Sequence, residues 1–194
     1  MSRKVRGVGV NDIGYVGAEK AYSVWFDMLT RCYNNKTRRK HHMSYIDCIV
    51  CDEWLVFSSF NKWDNINYKE GFELDKDVMG SDNKLYSPES CSYVPKEVNR
   101  LFNTRVAARG DCPIGVTFNK EHKKYYSQIT INGTTISIGQ FDNANDAHLS
   151  YIPVKNEYLR NKLQKHALLG NISKEYADKA YDKFSLKISN SSVK

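Results

Sequence analysis

The sequence predicts an α+β protein of two modules: a helix-rich first hundred residues, then a three-stranded antiparallel sheet with one packed helix. Three observations carry this. Ala21, Tyr22, Trp25, Met28, Leu29 and Cys32 recur at helical spacing over residues 19–33. Beyond residue 110 the pattern changes to short runs rich in β-branched and aromatic residues. Between the last two of those runs stands Asn132-Gly133, a strong two-residue hairpin signal.

Along the chain, residues 1–17 carry glycines at 7, 9, 14 and 17 and little periodicity, which predicts an irregular arm. The helix over 19–33 ends near Asn34-Asn35. Residues 53–63 predict a second helix, with Trp54, Phe57, Phe60 and Trp63 about three apart. Aromatics at that spacing belong to a core, where their area leaves water. A short helix over 95–102 would carry Asn99, and residues 103–113 read as a linker. Strands follow at 114–120, 124–131 and 134–141. The helix after them opens on an Asp/Asn cap, and Pro153 should kink or restart it. A last helix, with Tyr176, Ala177, Ala180, Tyr181 and Phe184, leads to a frayed Ser/Asn-rich end. The expected modules are 1–106 and 110–170, with 171–194 as C-terminal helix and tail.

Composition bounds the function. The 194 residues carry a net charge of +7. The excess is spread along the chain, a soft argument for a polyanionic partner. The densest basic run spans 36–42 and includes Arg38 and Arg39. These are candidate phosphate contacts, and a solvated loop is an equal reading. No apolar run approaches the ~20 residues of a membrane span. Five cysteines without a signal segment suit reduced thiols and a cytoplasmic protein. Cys48 and Cys51 form a CxxC. A closed zinc site needs a second such pair, and only Cys32, Cys91 and Cys112 remain, so zinc is not expected. No phosphate loop, nucleophile elbow or dinucleotide fingerprint occurs.

Two stretches carry candidate chemistry. On the middle strand Lys124, Tyr126, Gln128 and Thr130 share one face, while Tyr125, Ser127, Ile129 and Ile131 share the other. The first set is long and hydrogen-bonding. It suits either a sheet laid in a DNA groove or a plain solvated face. The second stretch, FELDKDVMGSDNKLYSPESCSYVPKEVN, packs Asp75-Lys76-Asp77 before a Gly-Ser-Asp-Asn turn and closes on Asn99.

The segment GVTFNKEHKKYYSQITINGTTISIGQFDNANDAHLSY resembles the APETALA2-type DNA-binding domain in its phage and mobile-element form. Gly115-Val116, Lys124-Tyr125, Ser127-Gln128-Ile129, Ile138-Gly139-Gln140-Phe141, Ala147 and Tyr151 carry the likeness. It implies a double-stranded DNA partner read by the sheet, with Lys120, Lys124, Tyr126, Gln128 and Thr130 as contacts. This sheet has no arginine, and tyrosine replaces the family's tryptophan.

GVGVND, VWFDMLTRCY, CIVCDEWLVFSSFNKW and the 72–99 stretch resemble phage proteins related to the HNH homing endonucleases, whose hairpin and helix hold one divalent metal. That likeness implies a ββα-metal-related module in a phage-encoded protein of the bacterial cytoplasm. It implies Mg²⁺ or a similar cation on Asp75 and Asn99, with Asn83 in the following turn. Phosphodiester hydrolysis needs such a metal and a base. Lys76 stands where the family has histidine, and an ordinary lysine, with a pKa of ~10.4, is a poor base. Three readings stay open. Asp77 serves as base or ligand in a divergent nickase or endonuclease; the site binds metal and DNA without cutting; or Asp75, Lys76 and Asp77 form a structural ion-pair cluster. His41 and His42 read either as an off-hairpin base or as part of the basic loop. The rival function is a non-catalytic DNA-binding or interaction protein, a regulator or an inhibitor of a host defence system with a host or phage protein as partner.

Overall fold

A computed structural model describes residues 4–34, 45–80, 84–102 and 111–191. Arg38, Arg39, His41, His42, Asn83 and most of the expected linker lie outside them. The chain is α+β and divides into two compact units, the first through Lys96 and the second from Glu97.

The first unit is built on α1 (Glu19–Tyr33), which buries Ala21, Trp25, Met28, Leu29 and Cys32 along one face. A 3-10 turn (Asp52–Leu55) and α2 (Phe57–Asn67) add Trp54, Phe57 and Phe60. The aromatic rings close the core. Trp54 meets Phe60 edge-on at 5.1 Å and Trp63 at 4.7 Å, and the Trp25 indole donates to the Trp54 carbonyl at 2.6 Å. Two short sheets flank it: β1 (Ile49–Val50) runs parallel to β3 (Leu85–Tyr86), and β2 (Phe72–Asp75) antiparallel to β4 (Ser92–Pro95).

The single helix expected over 53–63 is two pieces, and the arm explains the break. Val10 donates to the Leu55 carbonyl at 2.8 Å and accepts from the Phe57 amide at 2.9 Å, holding Val56 extended between the turn and α2. The arm is held by this backbone rung together with contacts such as Arg6 to the Thr30 hydroxyl at 2.8 Å, none of which leaves a periodic pattern in sequence. Val56 offers α2 no side-chain cap, and Asp12 supplies one from the arm, accepting from the Ser58 amide at 3.0 Å. The hydrogen bonds from Ser58 hold the Asp12 carboxyl below its ordinary pKa. Asp12→Ala should cost about 0.5–1 kcal/mol, the lower part of the N-cap range because the site is exposed. With the native pKa below the unfolded one, the contribution is full above the ordinary Asp value of ~3.9 and is lost as pH falls through the native value. Urea midpoints of the variant and parent should differ at pH 7 and converge toward pH 2.

A short helix α3 (Lys96–Leu101) starts at the last residue of the first unit, and the second unit holds β5 (Val116–Asn119), β6 (Lys124–Ile131) and β7 (Thr134–Phe141), an antiparallel sheet in that order. Asn132 at φ 50° and Gly133 at φ 83° make the β6–β7 connection the mirror-image turn the sequence signals. Register slips by one between Ser127 and Gln128, leaving Ile138 as a bulge. One sheet face packs on α4 (Ala144–Leu168), where Val116, Ala144 and Ala147 are buried with Tyr125 and Phe141 against them. α5 (Lys174–Ser189) packs on α4 and buries Tyr176, Ala177, Ala180, Phe184 and Ile188.

Pro153 neither restarts nor ends α4, which runs 25 residues. It lies on the exposed side, so the Leu149 carbonyl it leaves without an amide partner faces water, and Leu149 is itself 56% exposed. Among the described residues no helix is long and apolar enough to cross a membrane.

Candidate nucleic-acid interface

The outer face of the second unit's sheet follows from register. Thr117 stands opposite Tyr126, Asn119 opposite Lys124, Tyr126 opposite Gln140, Gln128 opposite Ser137, and Thr130 opposite Thr135. All are hydrogen-bonding side chains, none is a carboxylate, and all are exposed or half-buried. The opposite face holds Val116, Ser127, Ile129 and Phe141 against or toward α4. The two-residue period thus sorts a polar face from a mainly apolar one, on which Phe118 and Ile136 stay exposed, and the bulge at Ile138 keeps β7 in phase on both sides of the slip.

Charge on this face is sparse. Lys124 is ion-paired with Asp142, which opens the loop into α4. Lys120 and Lys123 are exposed in the β5–β6 turn, with Lys123 at φ 51°. Asn119 shapes that turn, its side-chain oxygen accepting from the Glu121 amide at 2.9 Å and the His122 amide at 3.0 Å. The Thr130 and Thr135 hydroxyls lie 3.1 Å apart. Such a surface offers hydrogen bonding and shape more than charge.

One residue missed in the sequence supports this sheet from behind. The His148 ring, buried on α4, spans the Ile114 carbonyl at 2.9 Å and the Ile188 carbonyl at 3.0 Å. It ties the chain entering β5 to the end of α5. A histidine on a helix gives no sign of this until both carbonyls are in place.

The 75–77 turn looks different in space from its sequence. Asp75 is buried at the end of β2, and its Oδ2 accepts from the Val78 amide at 3.2 Å, closing the turn. Lys76 is only 5% exposed. Its ammonium pairs with Asp77 and sits 5.2 Å from the Tyr45 ring centroid and 5.6 Å from that of Tyr86. Burial works to lower the Lys76 pKa. The hydrogen bond and charge of Asp77 outweigh it, and the amine lies above the ordinary lysine value. It stays protonated at neutral pH and has no lone pair with which to activate water. Asp77 is half exposed beside it. Asn99 is half-buried in α3, in the second unit rather than the first.

At this turn one Asp75 oxygen closes the turn, and the neighbouring side chain is a cation. Among the described residues no three of His, Cys, Asp and Glu converge as a ligand group. Cys48 and Cys51 bracket the extended β1, which turns residues three apart to opposite sides. Burial raises both thiols, and pushes Cys91 up to about 12.

No protein-family model, curated protein or solved structure matches the chain.

Proposed function

We propose that this protein binds duplex DNA by laying the outer face of β5–β6–β7 in a groove, and that the 75–77 turn serves folding rather than catalysis. The observation that carries the reading is a whole uncovered sheet face of hydrogen-bonding side chains, free of carboxylates and backed by a packed helix. Gln128 has the paired donor and acceptor that read a base edge, and Tyr126 adds a flat polar surface. The motif likeness of residues 115–151 to the APETALA2-type domain supports the same choice of face.

Few phosphates would be neutralised. With Lys120, Lys123 and Lys124 as the local cations, the slope of log affinity on log salt should be no steeper than about −3. A gel-shift titration tests the face. Gln128→Ala and Tyr126→Ala should each weaken binding about tenfold, since one good base contact is worth ~1–3 kcal/mol. Unchanged affinity in both overturns the assignment.

One observation favours a second reading, an HNH-like nuclease. The antiparallel β2–β4 pair runs directly into α3, the strand–strand–helix order of that module. Incubation of supercoiled plasmid with Mg²⁺ or Mn²⁺ separates the two. We expect mobility shifts without nicking; nicking abolished by Asp75→Ala in a folded variant would establish the nuclease instead.

A further inference from the structure

The second unit holds a cleft of about 790 Å³ that shares Thr117, Gln128 and Thr130 with the sheet but is otherwise lined by residues outside the proposed DNA face. Part of its wall is apolar, formed by Phe102, Ile114, Leu159, Phe184 and Ile188. Arg100, Lys155 and Lys187 also line it, and no carboxylate does among the described residues. No ion pair joins any of these three cations to a described carboxylate. Burial pushes the Lys155 ammonium below its ordinary value with no anion to offset it. An anion entering the cleft would relieve that cost.

The cleft also holds an open strand edge. β5 pairs with β6 only as far as Ser127, and the Gln128 amide then donates to the Gly115 carbonyl at 3.0 Å. The alternation of an antiparallel ladder turns the Thr130 amide and carbonyl to the same side. The residue that would meet them is Pro113. It has no N–H, and its carbonyl accepts from the Val116 amide at 3.2 Å as the chain turns away. The rung at Thr130 therefore lacks a strand partner among the described residues, and Thr130 lines the cleft.

We propose that this cleft binds an extended acidic segment of a partner protein, which adds one main-chain rung at Thr130, seats an aliphatic side chain against Phe102 and Ile114, and sets carboxylates against Arg100, Lys155 and Lys187. A second backbone is the group that satisfies a donor and an acceptor spaced as a strand rung.

The test is fluorescence anisotropy on the full chain with a labelled six-residue peptide of alternating valine and glutamate. The same peptide with lysine for glutamate, and one N-methylated at alternate backbone positions, are the controls. The glutamate peptide should bind and both controls should lose binding. Lys155→Met with Lys187→Met, which keep the apolar stems, should weaken binding at least about tenfold, since charge-assisted hydrogen bonds are worth ~1.5–3 kcal/mol each. Circular dichroism would confirm that the double variant folds. Equal binding of the glutamate and lysine peptides, or an unchanged double variant, overturns the proposal. So does a double variant that loses duplex DNA rather than peptide, since the cleft would then be a phosphate contact.

Discussion

Replacing Gly115 with alanine is expected to lower the stability of the second unit by about 2–4 kcal/mol and to remove DNA binding with it. Two independent costs meet at this position. Gly115 sits at φ 83°, a left-handed conformation that a Cβ disfavours. A Cβ there would also lie 2.3 Å from the Tyr151 ring, which packs beneath the start of β5. The backbone comes that close because Gly115 must pass its carbonyl to the Gln128 amide while Ile114 passes its own to His148. Gly133→Ala is the control. It shares φ 83° but faces open space, so it should cost only about 1 kcal/mol or slightly more. The difference between the two isolates the Tyr151 contact. All three tryptophans belong to the first unit, so their fluorescence follows that unit alone. Far-UV circular dichroism, weighted toward α4 and α5, should show the loss in Gly115→Ala while the fluorescence transition stays in place. A Gly115→Ala midpoint matching that of Gly133→Ala would remove the Tyr151 contact from the account.

What the sequence disclosed and what it hid divide along a physical line. α1, β6 and β7 begin and end where periodicity and turn chemistry place them, because each is fixed by its own residues: one apolar stripe, or alternation closed by Asn132-Gly133. The hidden features are pairings between distant segments. Asp12 caps a helix that starts 45 residues later, and Val10 splits the expected 53–63 helix by bonding on both sides of Val56. His148 joins carbonyls from opposite ends of the second unit. Pro153 is an intermediate case: its missing amide is local, but whether that breaks a helix depends on which side faces water. At the candidate sites the split is the same. The polar alternation of β6 could be read by twos, whereas the open rung at Thr130 follows only from the register that puts Pro113 opposite it.

Lys76 gives the sharpest contrast between residue type and environment. In the HNH-like resemblance it occupies the position of a missing base; in space it is a protonated amine set against two tyrosine rings and paired with Asp77. Lys76→Ala should destabilise the first unit by about 2–3 kcal/mol, combining the void left by a buried four-carbon stem with two lost cation–π contacts. Asp77 adds little to that loss, because its half-exposed carboxylate is taken up by water once the amine is gone. Lys76→Met retains most of the stem and should cost about 1 kcal/mol. Urea unfolding followed by tryptophan fluorescence reads both. A catalytic lysine would give another pattern: alanine and methionine would be equally damaging to plasmid nicking and nearly neutral to stability. Lys76→His completes the comparison, since it restores the side chain found at this position in the HNH-like resemblance. If the turn serves the fold, the shorter, broader ring loses the contacts to Tyr45 and Tyr86, and the variant is less stable than Lys76→Met with no gain of nicking. Nicking that appears in Lys76→His would show that the turn holds a nuclease centre, silenced by one residue.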